Sequence, residues 1–127
     1  MSTRGVGIDV VDVARFTLAL ERRPQLAARL FTERERHDAA ARPERLAARF
    51  AAKEAVLKAL RVGLGLAWHS IEVERDASGA PGVHLTGDAA RLARECGVTG
   101  WHLSMSHTDA TAAAIVVATG PSEHRAG

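Results

Sequence analysis

The stretch Pro43–Arg61, PERLAARFAAKEAVLKALR, decides the architecture. Proline suits the first position of a helix, and the next glycine is Gly63. The spacing predicts one long helix from Pro43 to Arg61 that stops at Gly63. At 100° per residue, Leu46, Phe50, Val56, Leu57 and Leu60 share one broad arc, with Ala48, Ala52, Ala55 and Ala59 on the opposite side. A helix with apolar surface on both sides is mostly buried. Its alanine side suits close approach of another element. Glu54, Lys58 and Arg61 fall between the arcs and need partners or a wet cleft, because lone buried charge is very costly. Glu54 and Lys58 are either an i,i+4 pair on a solvated edge, worth about 0.3–0.5 kcal/mol, or members of a site.

Around this helix the chain reads as a series of short elements. Gly5–Val11, GVGIDVV, is expected to be a buried strand. Asp12 caps a helix that runs to about Arg23 and is stopped by Pro24. A short helix spans Pro24 to Leu30, and Thr32-Glu33-Arg34-Glu35 fits a capping box that opens another. Gly63–Ala67 is a loop. Ile71 and Val73 alternate with Glu72 and Glu74, as in a half-buried strand over Ser70–Arg75. Asp76–Gly82 is a turn cluster, and Val83–Thr86 returns as a hairpin strand. Asp88–Cys96 forms a helix ended by Gly97. Trp101–Thr108 and Thr111–Thr119 are two tightly joined strands. Strands and helices do not alternate strictly, so the expected class is α+β, a long central helix on a small, mainly antiparallel sheet. Residues 1–120 are expected to form a single domain, with 121–127 a frayed tail.

Composition bounds the function. The 127 residues are 46% hydrophobic and 25% charged, as in an ordinary globular domain rather than a disordered chain. No apolar stretch approaches a membrane span and no secretory leader is visible, so the expected compartment is the cytoplasm. A single cysteine, Cys96, excludes a disulfide framework and a cysteine-rich zinc site. Residues 1–62 carry 13 Lys+Arg against 8 Asp+Glu, and residues 63–127 carry 4 against 7. The basic half points to an acidic partner or a phosphorylated ligand. Of the 17 cationic side chains only Lys53 and Lys58 are lysine, a hint that an ammonium is needed in the long helix.

Asp9 sits between Ile8 and Val10 inside an apolar strand, a poor place for an isolated carboxylate. It either caps the next helix, a role Asp12 already fills, or converges with Glu54 on a hard cation. Magnesium takes one or two carboxylates and completes its shell with water and substrate phosphate. In Ser104-Met105-Ser106-His107-Thr108, His107 continues the row of Trp101, Leu103 and Met105, while Ser104, Ser106 and Thr108 share the other face. The histidine is either a satisfied core residue or, with the hydroxyls, a holder of phosphate oxygens. A zinc site on His102 and His107 is disfavoured, because their odd spacing puts them on opposite faces.

Gly7-Ile8-Asp9 with Arg15-Phe16, then Arg49-Phe50-Ala51-Ala52-Lys53-Glu54-Ala55 with Lys58-Ala59, then Ser104-Met105-Ser106-His107 together resemble the 4′-phosphopantetheinyl transferases. The short chain and the FAAKEA form resemble the holo-[acyl-carrier-protein] synthase branch, over about residues 5–118. One departure is Ala112-Ala113-Ala114 in the last strand, where many relatives carry an aromatic; this chain has no tyrosine. The resemblance implies that branch's fold and its reaction. Phosphopantetheine moves from coenzyme A to a serine of an apo acyl carrier protein, leaving adenosine 3′,5′-bisphosphate. It implies Mg2+, or Mn2+, on Asp9 and Glu54, with Lys58 on a phosphate oxygen and His107, Ser106 and Thr108 on coenzyme A phosphates. Arg49 is a phosphate ligand or a structural ion pair. Glu54 is the expected organising group, and the path of the serine proton stays open between Glu54 itself and a metal-bound water. An acidic carrier of fatty-acid or polyketide synthesis docks on Arg15 and Arg22, seven apart on one helix face with Arg23 beside them. The branch implies a homotrimer with sites between subunits. The small apolar strand Thr111–Val117 suits either a subunit contact or the core.

Two other classes fit less well. A nucleic-acid-binding module would show exposed aromatics or a dense basic stripe. The chain has five Phe and Trp residues in all. A metal-dependent phosphohydrolase would carry more carboxylates around its metal.

Overall fold

A computed structural model describes residues 1–62 and 65–122. Strand β1 (Ser2–Asp12) leads into helix α1 (Val13–Arg22), two short helices α2 (Leu26–Leu30) and α3 (Glu33–Asp38), and the long helix α4 (Pro43–Ala59). A 3₁₀ turn (Trp68–Ser70) precedes β2 (Ile71–Arg75) and β3 (Pro81–Leu85). Helix α5 (Gly87–Glu95), β4 (Gly100–His107) and β5 (Thr111–Gly120) follow. The class is α+β, as expected. The strands form two sheets rather than one: β1-β5-β4, and the hairpin β2-β3, each antiparallel throughout.

The long helix lies across β1, β5 and β4. Its contact with β1 depends on glycine. A Cβ on Gly7 would stand 1.8 Å from the carbonyl oxygen of Ala55, and one on Gly5 2.2 Å from that of Ala59. The alanine side of the helix therefore meets a strand stripped of side chains, which is the close approach its sequence suggests. From β5, Ala112, Ala114, Val116 and Ala118 point inward to complete this layer.

Strand β1 is not buried as expected. Alternation sends Gly5, Gly7, Asp9 and Val11 toward α4 and turns Val6, Ile8 and Val10 outward. Those three are 54%, 60% and 63% exposed, and Ile115 of β5 joins them at 42%. Both sides of the strand are apolar, but within the single chain only one is covered.

Helix α1 is capped by Asp12, whose Oδ1 accepts from Arg15 N at 2.9 Å. Its Phe16 stacks on Phe50 of α4, ring centres 5.2 Å apart, and meets Phe31 edge-on. The Thr32–Glu35 capping box forms as the sequence indicates. Glu35 also reaches inward. Its fully buried carboxylate pairs with the fully buried Lys53 ammonium at 2.8 Å and accepts from Val73 N at 2.9 Å. Lys53 donates further to the carbonyls of Ile71 and Trp68 at 2.6 and 2.9 Å, so all three ammonium hydrogens have acceptors. Burial pulls the Lys53 pKa down, opposed by the Glu35 charge. Of the two lysines in α4, this one is a structural staple that ties α3 and β2 to the helix.

Helix α4 ends at Ala59, two residues before the expected boundary. Arg61 takes a left-handed conformation (φ 58°), and Val62 N bonds back to Leu57 O. Gly63, the expected stop, and part of the expected Gly63–Ala67 loop lie outside the described residues. Strand β5 runs to Gly120. Ser2 Oγ donates to Ser122 Oγ at 2.9 Å, so the first residues of the expected tail are tied to β1. The rest of that tail, 123–127, lies outside the described residues.

Candidate active site

A cleft of about 440 Å³ opens where β1 hands over to α1 beside the middle of α4. Its walls include Asp9, Asp12, Arg15, Phe16, Phe50 and Glu54. Asp9 reaches it because alternation in β1 puts it on the α4 side, in register with Gly5 and Gly7. Glu54 reaches it from the gap between the two apolar arcs of the helix. Both carboxylates line the cleft and interact: burial, and then the Asp9 charge, push the Glu54 carboxyl above its ordinary range, while Lys58 pulls it down. Lys58 does not act chiefly as the i,i+4 partner of Glu54. Its ammonium donates to Asp9 Oδ1 at 3.0 Å and to Ile8 O at 2.9 Å. Asp12 lines the cleft, but its carboxylate is engaged in capping α1.

The donor set suits a hard divalent ion. Two half-sequestered carboxylates of like charge converge, and among the described residues no cluster of three or more His, Cys, Asp or Glu forms a closed cage. Two carboxylates with open positions are the arrangement magnesium favours when substrate phosphate completes the shell.

A second cavity, of about 550 Å³, lies at the far end of β4. Arg45 and Arg49 of α4, Arg75 at the end of β2, and Ser106 and His107 of β4 line it, with Asp38 the one acid on its wall. Arg49 is 2% exposed; one of its amino groups donates to Arg45 O at 3.2 Å, and its buried Nε has no hydrogen-bond partner. Burial, then the neighbouring Arg75 charge, lower its pKa. Three guanidinium groups against one carboxylate make this a cationic hollow, and it suits a phosphate. His107 is exposed, so it is not a satisfied core residue. Thr108 departs from expectation: it is not on the cavity wall, and its hydroxyl accepts from Ala110 N and Thr111 N in the β4–β5 turn.

Within one chain the expected site residues fall into two separate cavities. Glu54 and Arg49 are five positions apart on α4, a rotation of about 140°, so they cannot serve one pocket of the same chain. Arg45 and Arg75 were not singled out from sequence. Arg45 lies one turn before Arg49 and was legible in principle; nothing in the sequence places Arg75.

The 4′-phosphopantetheinyl transferase superfamily model matches residues 5–116, a span that includes both cavities. The chain belongs to the 4′-phosphopantetheinyl transferase superfamily. Within it, the chain is 52% identical over 118 residues to the holo-[acyl-carrier-protein] synthase of Frankia casuarinae, covering 93% of this chain and 98% of that one. It is 50% identical to that of Streptomyces coelicolor, covering 94% and 100%. Among solved structures, the Helicobacter pylori holo-[acyl-carrier-protein] synthase in complex with coenzyme A superposes with a TM-score of 0.82 at 28% identity, covering 90% and 99%. The Mycobacterium tuberculosis acyl carrier protein synthase superposes at 0.75 with 35% identity, covering 94% and 100%. These superfamily members match the chain over nearly its whole length, and so over both cavities.

Proposed function

We propose that this chain is a holo-[acyl-carrier-protein] synthase. It transfers the 4′-phosphopantetheine arm of coenzyme A to a serine of an apo acyl carrier protein and releases adenosine 3′,5′-bisphosphate. The observation that carries this reading is the convergence of Asp9 and Glu54 in one cleft, on a chain whose superfamily match spans both. The serine oxygen attacks the β-phosphorus of the coenzyme A diphosphate. A new P–O bond forms as the bond to the leaving adenosine bisphosphate breaks. Such transfers gain most from positioning and from stabilising charge.

Asp9 and Glu54 would hold Mg2+, with Mn2+ a substitute; the ion would neutralise the diphosphate as charge moves to the leaving group. Lys58 supplies a compact cation one helical turn beyond Glu54. Glu54 organises the site, and the serine proton leaves to it directly or through a water; a carboxylate already on the ion is the weaker base, which favours the water route. The hollow of Arg45, Arg49, Arg75, Ser106 and His107 takes the remaining phosphate of coenzyme A. Thr108 acts through the turn that presents His107.

The proposed assembly is a homotrimer with sites between subunits. Two observations support it: the uncovered stripe of Val6, Ile8, Val10 and Ile115, and the separation of the two cavities, which a neighbouring copy would bring together. The carrier is proposed to be acidic and to dock on α1. There Arg15, at the cleft mouth, and Arg22 flank the exposed Leu18 on one face. Residues 1–120 act as a single domain. The proposed setting is the cytoplasm, where coenzyme A meets a carrier of fatty-acid synthesis. No described helix is long and apolar enough to cross a membrane.

Incubation of the protein with apo carrier, coenzyme A and Mg2+ tests the reading. A carrier mass gain of one phosphopantetheine arm supports it. Phosphate release with no change in carrier mass would instead mark a hydrolase.

A further inference from the structure

The cation beside the two carboxylates is already engaged. Lys58 bonds Asp9 and the Ile8 carbonyl together, and its side chain is 54% exposed against 18% for Asp9. Two acids of the cleft wall and one ammonium beside it thus interact. An ammonium in contact with a carboxylate opposes entry of a divalent cation onto that same carboxylate, since like charges so close repel strongly. We propose that Lys58 alternates between two anions: it neutralises Asp9 while the Asp9–Glu54 pair holds no ion, and it is released onto the coenzyme A diphosphate when the pair takes one. This inference rests on the metal-site reading above.

The geometry favours such an exchange. The bond to Ile8 O is to a fixed backbone carbonyl, so it can serve as a pivot while the Asp9 contact is given up. The four-carbon stem is half in solvent and has room to swing. A lysine head is a rotatable point charge that can change partners without a planar geometry to rebuild. Lys58 therefore competes with the ion when coenzyme A is absent and cooperates with it when coenzyme A is present. By linkage, the ion and coenzyme A each raise the other's affinity.

The test is titration of the full-length chain with Mn2+ alone, with free ion read by electron paramagnetic resonance. Lys58→Met is expected to bind Mn2+ about five- to tenfold more tightly than wild type at low salt. Lys58→Arg keeps the charge beside Asp9 and, with coenzyme A absent, should stay within about twofold of wild type. With coenzyme A added, Mn2+ affinity should rise more for wild type than for Lys58→Met. Thermal melting confirms that each variant is folded. Equal or weaker Mn2+ binding by Lys58→Met in the absence of coenzyme A overturns the proposal. Asp9→Asn and Glu54→Gln should each lose Mn2+ binding. If they retain it, the metal-site reading fails and this inference falls with it. If they lose it and Lys58→Met gains nothing, the Lys58 inference alone is wrong.

Discussion

Glu54 is held in a state that costs the fold something. Its carboxyl is pushed up by burial and by Asp9, so the folded chain binds its proton more tightly than the unfolded chain does. Stability of the metal-free protein then falls as pH rises from the ordinary carboxylate range through the raised Glu54 value. Glu54→Gln removes that loss. In EDTA, the variant should melt at a higher temperature than wild type at neutral pH, while its transfer rate drops by about a hundredfold or more. Calorimetry and the carrier mass assay check the two halves; an unchanged or lower melting temperature would mean that burial and the Asp9 charge do not together disfavour the Glu54 carboxylate. At the cleft mouth, Arg15→Ala or Arg22→Ala should raise KM for the carrier about three- to tenfold and leave KM for coenzyme A nearly unchanged. Equal effects on both substrates would argue against docking there. Asp9 was legible in the sequence because an acid inside an apolar strand needs a reason. The division of labour between Lys53 and Lys58 was not. Both stand in one helix, and only the partner brought by α3, Glu35, marks Lys53 as the staple.

Elements were legible where a local rule fixes them and less so where a distant partner does. The caps at Asp12 and Thr32, the proline start of α4 and the glycine end of α5 all follow from chemistry within a few residues. The end of α4 does not, because Arg61 rather than a glycine adopts the left-handed turn. The burial of β1 was overestimated because an apolar strand reads alike whether the core or another molecule covers its second face. Two substitutions test the element packing. Gly7→Ala drives a methyl into the Ala55 carbonyl and should cost about 1–3 kcal/mol or more in denaturant unfolding. Lys53→Met strands the buried Glu35 carboxylate and should cost about 3–5 kcal/mol, whereas Lys53→Met with Glu35→Leu should recover most of it. A double variant as unstable as the single one would show that the ion pair is not what holds α3 and β2 to α4.

At the scale of the whole molecule, the sequence motifs that look like one site occupy two cavities of a single chain. The motifs carry no information about which copy supplies which half, so this separation could not be read from spacing. It has a direct consequence. If a site takes Glu54 from one copy and His107 from the next, Glu54→Gln and His107→Ala chains, each inactive alone, should regain about a quarter of wild-type activity when mixed equally and reassembled. No recovery in mixed assemblies of confirmed composition would place both residues in the same subunit's site. A neighbouring copy would also cover the exposed β1 stripe, which faces away from α4 and lies beside the apolar outer residues Ala113, Ile115 and Val117 of β5.

Asp9 and Glu54 are proposed to grip one divalent ion together with the coenzyme A diphosphate. A crystal structure of the protein with coenzyme A and Mg2+ tests it most directly. The expected result is an ion ligated by an oxygen of each carboxylate and by diphosphate oxygen, with the Lys58 ammonium on phosphate rather than on Asp9. An ion bound away from either carboxylate, or a diphosphate seated with no contact to that ion, would contradict it.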